Sequence, residues 1–149
     1  MDIYDIPIKV HYPWCVPYKA DKGDWIDLST AEDIYVYRKE DIYAQYLRIS
    51  LGISMKLPDE YEAILAARSS TFEKYGIIMA GGIGIIDNSY CGDDDIWRFP
   101  AIFVNPGLTV IGKGTRIAQF KIQKQQPKIN FIFVDNLLGE NRGGFGTTG

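Results

Sequence analysis

The feature that most constrains this chain is the way its β-branched and aromatic residues are cut into short runs by turn-forming residues. The runs are Ile3 to Val10, Ile34 to Tyr37, Tyr46 to Ile53, Ile77 to Met79, Ile83 to Ile86, Ile96 to Val104, Leu108 to Ile111, Arg116 to Ile122 and Phe131 to Val134. Gly, Pro, Asp and Asn clusters separate them. Strands of this length at this spacing predict an all-β chain of the sandwich, jelly-roll or barrel kind. Pro7 places the first run at a sheet edge, because proline has no N–H to give a ladder. A length of 149 residues with 46% hydrophobic content allows one domain around one core.

Two segments depart from the strand pattern. Ser70-Thr71-Phe72-Glu73 has the S-x-x-E form in which a serine caps a helix and the glutamate reaches back, and Gly76 stops that helix early. The residues from Gly139 to Gly149 include five glycines and one aromatic, too little to pack. The division expected is a β domain over 1–138 and a flexible arm over 139–149.

Charge and special residues exclude several classes. Lys plus Arg total 16 against 19 Asp plus Glu, a formal net charge of −3, so no basic surface for duplex nucleic acid is expected. Cys15, Cys91 and the single His11 have no zinc-ligand spacing, and the two cysteines read as ordinary reduced thiols. Asp2 and Asp5 stand where a signal peptide needs basic residues, and no apolar run approaches the roughly 18 residues of a membrane span. A cytoplasmic location away from membranes is the expectation.

Four stretches are rich enough in functional groups to carry chemistry. The arm offers backbone amides, Arg142, Thr147 and Thr148 for a polyphosphate and Phe145 as a stacking face, although a glycine-rich end is also simply a frayed one. Gly107 to Gly114 reads G-x-x-x-x-G-K-G, but Gly114 replaces the magnesium-holding hydroxyl of a P-loop and a β-like run follows, so it reads as a hairpin turn. Gly81 to Asp93 reads as two strands around a tight turn, whose Asp87 is either a turn residue or a base that orients water. Arg68 with Ser69 and Ser70 sets a guanidinium and hydroxyls at a helix start, more than capping needs.

Taken together, ARSST, GIIDNSYCGD, GTRIAQF and RGGFGTTG, in this order, resemble the trimeric dUTP diphosphatase family from about Asp24 to Gly149. The family's first motif, AGxDL, is matched by Asp24-Trp25-Ile26-Asp27-Leu28 only at its Asp-Leu end, with Trp25 in place of glycine. The arm is also shorter than the common RGSGGFGSTG form. The segment Trp97 to Pro100 is unusual and has no sequence reading.

The resemblance implies a jelly-roll-like subunit in a homotrimer whose active sites are shared between chains, with Mg2+ as cofactor and dUTP as substrate. It implies that main-chain groups around Gly82, Gly84 and Ile86 hold uracil and that the Tyr90 ring excludes a 2′-hydroxyl. Asp87 is then the base that activates water for attack on the α-phosphorus. Arg68, Ser69, Ser70, Gln119, Arg142, Gly146, Thr147 and Thr148 meet the phosphates, Phe145 stacks on uracil, and Asp27 positions Mg2+ through water. Arg116 is either a salt-bridge residue of the trimer or a phosphate contact. Two other readings are a dCTP deaminase of the same fold, using a carboxylate among Asp93 to Asp95, and a nucleotide-dependent regulatory binding module with a partner surface over Asp93 to Phe99.

Overall fold

The computed structural model describes residues 3–144 and Gly146, and its regular structure is almost entirely short strands. In chain order they are β1 (Ile8–Val10), β2 (Tyr18–Lys19), β3 (Ile26–Ser29), β4 (Ile34–Arg38), β5 (Gln45–Ser50) and β6 (Ile53–Met55). There follow β7 (Tyr61–Ala67), β8 (Ile77–Met79), β9 (Gly84–Ile86), β10 (Arg98–Phe103), β11 (Gly107–Ile111) and β12 (Arg116–Lys124). A helical turn at Pro13–Cys15 and one helix, α1 (Thr71–Tyr75), complete the list of elements.

All pairings are antiparallel, in the orders β2-β3-β12-β7-β9, β5-β10-β8, β11-β4 and β1-β6. Alternation along the strands supplies the core: Phe99, Ala101 and Phe103 of β10 point inward, as do Ile34 and Val36 of β4. Trp97 is fully buried and meets Phe120 of β12 edge-on, with ring centroids 5.1 Å apart. That contact explains half of the unassigned Trp97 to Pro100 segment, since its first residue is a core anchor. Among the described residues no helix is long and apolar enough to cross a membrane.

The structure corrects four local expectations. Strand character in the first run is confined to Ile8–Val10, an edge strand paired only with β6, and Tyr46 to Ile53 is broken between β5 and β6. Ser70 makes no side-chain capping bond: it sits at φ −90°, ψ −6°, already helical, so its hydroxyl is not aimed at the first turn. Thr71 takes over, accepting from the Arg68 amide at 3.1 Å and donating to the Ile117 carbonyl at 2.7 Å, while Gly76 ends the helix at φ 62° as its spacing implied. Gly81 to Asp93 holds only β9, followed by turns, instead of two paired strands.

Phe131 to Val134 forms no strand and instead carries exposures of 77%, 78%, 95% and 56%. β-propensity describes a fit to a neighbouring strand, and none of the described strands lies beside this run. The G-x-x-x-x-G-K-G stretch is β11 plus the Gly112–Thr115 turn, where the Lys113 amide donates to Asp33 at 2.8 Å. A strand follows it, so the helix N-terminus that a P-loop requires is missing there.

Candidate active site

The functional side chains gather at the two ends of one strand. β7 lies between β12 and β9, with Ala67 opposite Ala118 at one end and Ala63 opposite Ile86 near the other. Asp87 follows Ile86, level with Glu62, whereas Arg68 follows Ala67. Six residues of strand place the two about 20 Å apart in one chain.

At the first end, the turn Asp87–Tyr90 is closed by the Tyr90 amide donating to the Asp87 carbonyl at 3.0 Å. The Asp87 side chain accepts on Oδ1 from the Ser89 amide at 2.8 Å and the Ser89 hydroxyl at 2.6 Å. Those two bonds, the hydroxyl's first, hold the carboxyl below the usual Asp range, so it is ionised at neutral pH. Asp87 is exposed, and among the described residues nothing bonds Oδ2. Oδ1 builds the turn, as the turn reading expects, and Oδ2 is left without a hydrogen-bond partner among the described residues.

A cavity of about 420 Å³ adjoins this carboxylate. Ile85, Ile86 and Tyr90 line it from one side, and Tyr46, Arg48, Arg98 and Pro100 from the β5–β10 face. The Tyr90 hydroxyl donates to the Ile96 carbonyl at 3.0 Å, which fixes the ring at the rim. Gly81 and Gly82 precede β9 at φ 82° and 83°, a left-handed turn that disfavours other residues, and the Gly82 amide donates to Met79 at 3.0 Å. Gly84 pairs with Leu65 in the ladder.

Sequence reasoning missed Arg48 and Arg98. They stand on neighbouring strands, Arg48 opposite Pro100 and Arg98 opposite Ser50, and neither is ion-paired among the described residues. Only Arg98 had a signal in the sequence, from the alternation in Trp97 to Pro100: inward Trp97 and Phe99 imply outward Arg98 and Pro100.

At the other end, Asp27 of β3 lies opposite Gln119 of β12. Its carboxylate meets Arg68 Nε at 3.3 Å through Oδ1 and Arg116 Nη1 at 3.7 Å through Oδ2. Arg68 Nη1 also donates to the Arg116 carbonyl at 3.2 Å, and Gln119 Nε2 to the Ala67 carbonyl at 3.0 Å. Ser69 is exposed and Ser70 half-buried beside them. Arg142 is exposed and Gly146 takes φ 84°, while Phe145, Thr147 and Thr148 lie outside the described residues. The structure thus brings Asp27, Arg68 and Gln119 together, adds Arg116, and keeps this group apart from Asp87 and Tyr90.

Neither end is a ready metal cage. No three His, Cys, Asp or Glu side chains converge among the described residues, and both Asp27 oxygens are taken by guanidinium groups. This donor set offers no direct protein cage and fits an ion held mainly by phosphate oxygens and its own waters, as Mg2+ commonly is.

Comparison with known proteins shows the family to which this fold belongs. The sequence profile of the dUTPase family matches residues 16–149. The SPbeta prophage-derived deoxyuridine 5'-triphosphate nucleotidohydrolase YosS of Bacillus subtilis is 44% identical over 131 residues, 88% of this chain and 87% of that one. The G164S dUTPase of Staphylococcus bacteriophage 80alpha, solved with dUpNHpp, superposes with TM-score 0.76 at 18% identity, covering 99% of each chain. The D95N dUTPase of S. aureus phage phi11, described as coordinating a structural Mg(II) ion, gives 0.74 at 15% identity, over 91% of this chain and all (100%) of that one. An all-β jelly-roll-like body, a match over nearly the whole sequence and a close relative named for the activity make this chain a member of the dUTPase family.

Proposed function

We propose that the chain hydrolyses dUTP to dUMP and pyrophosphate at sites assembled between copies of itself in a homotrimer. The observation that carries this reading is the placement of Asp87 and the Arg68–Asp27–Gln119 group at opposite ends of β7. A span of about 20 Å is too long for one carboxylate and one guanidinium to meet at the same α-phosphate. A second copy, presenting its Arg68 end to the first copy's Asp87 end, closes that distance. The exposed run Phe131 to Val134 gives the same reading independent support, since it is apolar chain with nothing of its own to pack on.

In the proposed reaction, a water molecule held by Asp87 Oδ2 attacks the α-phosphorus in line with the bridging oxygen to the β-phosphate. The water gives its proton to the carboxylate, the new P–O bond forms, the old bridge breaks, and pyrophosphate leaves. Arg68, Ser69, Ser70, Gln119, Arg142, Gly146, Thr147 and Thr148 hold the phosphates. Asp27 is placed to hold the water shell of a substrate-borne Mg2+, which would supply charge neutralisation at the phosphates. Main-chain groups at Gly82, Gly84 and Ile86 select uracil over cytosine, whose exocyclic donor would face another donor and leave both unpaired. Tyr90 under the sugar disfavours ribose, and the arm from Gly139 onward brings Phe145 over the base. Free Cys15 and Cys91 suit a reducing, cytoplasmic setting.

Subunit complementation tests the shared site. Asp87→Asn and Arg68→Ala chains, each strongly impaired alone, are co-refolded in equal amounts. Sites drawing the two residues from different copies regain about a quarter of the wild-type rate, because random mixing leaves that share of interfaces intact. Pyrophosphate release that stays at background in the mixture overturns the shared-site reading.

A further inference from the structure

The row Tyr18, Asp27, Gln119, Ala66 runs straight across four strands, each residue opposite the next. Residues opposite one another share a face, so Tyr18 stands beside the Asp27 carboxylate at the outer edge of the phosphate-binding group. Between Arg116 and Ala118 the ladder slips by one residue, and Ile117 and Ala118 are both fully buried. In an unbroken strand Arg116 would share the inward face of Ala118. The bulge turns Arg116 to the outer face instead, while the Ile117 carbonyl accepts from the Thr71 hydroxyl and the Arg68 amide.

Arg116 then lies over the Tyr18 ring, its guanidinium carbon 4.3 Å from the centroid. Its ion pair with Asp27 is long, at 3.7 Å, and its side chain is 43% exposed, so the pair alone fixes it weakly. The ring face supplies the missing restraint, since a stacked guanidinium keeps its plane while its edge still donates. Held there, Arg116 fixes Asp27, and Asp27 with the Arg116 carbonyl takes the Nε and one Nη1 donor of Arg68. The remaining Arg68 donors then present one orientation to a ligand.

From this chain of contacts we infer that Tyr18, which lies outside every motif of the sequence, is a positioning residue for the phosphates of the substrate, acting through Arg116 and Asp27 on Arg68. The inference rests on the phosphate-binding role proposed for Arg68. It predicts that the ring face matters and the phenol does not.

The test uses the full chain with Tyr18→Leu and Tyr18→Phe. Tyr18→Leu raises KM for dUTP about two- to five-fold with kcat nearly unchanged, and weakens inorganic pyrophosphate binding by the same factor in calorimetry. Tyr18→Phe retains both wild-type values. In an Arg116→Ala background Tyr18→Leu has no further effect, because the ring acts only through that guanidinium. A ring with a merely structural role would lower the melting midpoint and the active fraction without the KM shift. Unchanged pyrophosphate affinity in Tyr18→Leu, an equal loss in Tyr18→Phe, or additivity with Arg116→Ala overturns the inference. Absent dUTP turnover in the wild type would defeat the proposed function, while the pyrophosphate titrations would still decide the role of Tyr18.

Discussion

The two ends of β7 are built by opposite means. Asp87 is placed by its own neighbours: Ser89 bonds its side chain and Tyr90 its carbonyl, both within three residues of sequence. Asp27, Arg68 and Gln119 are placed by strand pairing, with Arg68 bonding the Arg116 carbonyl 48 residues away and Gln119 bonding Ala67 52 residues away. A site made by a local turn survives whatever the distant chain does, whereas one made by a ladder depends on register. The first end is suited to hold a reacting carboxylate, and the second to spread several donors over an extended anion.

The comparison can be broken most sharply at Asp87. Asp87→Asn keeps the shape of the turn but loses the ability to accept a proton, so pyrophosphate release should fall about 10²- to 10⁴-fold while a non-hydrolysable dUTP analogue still binds. Lost analogue binding would make Asp87 structural. Removing residues after Glu140 comes next. The described arm residues are exposed and contribute nothing to the core, so the truncated chain should retain its melting midpoint and lose about 10²-fold in rate. A melting curve beside a rate measurement checks both halves.

Arg68→Ala strikes the ladder-built end, and a charge-assisted contact to phosphate is worth about 1.5–3 kcal/mol, or roughly 10- to 150-fold in kcat/KM. Loss of kcat/KM for dUTP with deoxyuridine affinity unaltered would fit a phosphate role; equal loss for both would not. The smallest effect is the most local. Ser89 lowers the Asp87 pKa, and activity requires the carboxylate, so the rate falls as pH drops through a value below the ordinary Asp range. Ser89→Ala should move that acid limb upward in pH, leaving the plateau rate in place. A pH–rate profile of the two proteins decides it.

The same contrast explains what could be read before the structure was known. Ile77 to Met79, Leu108 to Ile111 and the helix stop at Gly76 were legible because turn chemistry and propensity are local. Asp87 and Arg68 stood out from their local sequence, beside a turn and a helix start, whereas Gln119 came only from the family resemblance. The Asp27–Arg116–Tyr18 contacts were not legible, since they exist only once β2, β3 and β12 are in register and Ile117 is bulged. Phe131 to Val134 misled for a related reason: the run has the composition of a strand, but strand formation needs a partner that composition does not name. Ser70 misled because its backbone is already helical and makes no side-chain cap, while Thr71, one residue on, ties the helix start to Arg68 and Ile117.

The length of β7 has a consequence for how activity scales with abundance. Under the proposed shared site, a folded subunit on its own carries two half-sites at opposite ends of β7, and output begins only when copies meet. In dilute samples the specific activity should therefore climb with protein concentration and level off once assembly is complete, so that below this threshold halving the amount of protein more than halves the dUTP removed.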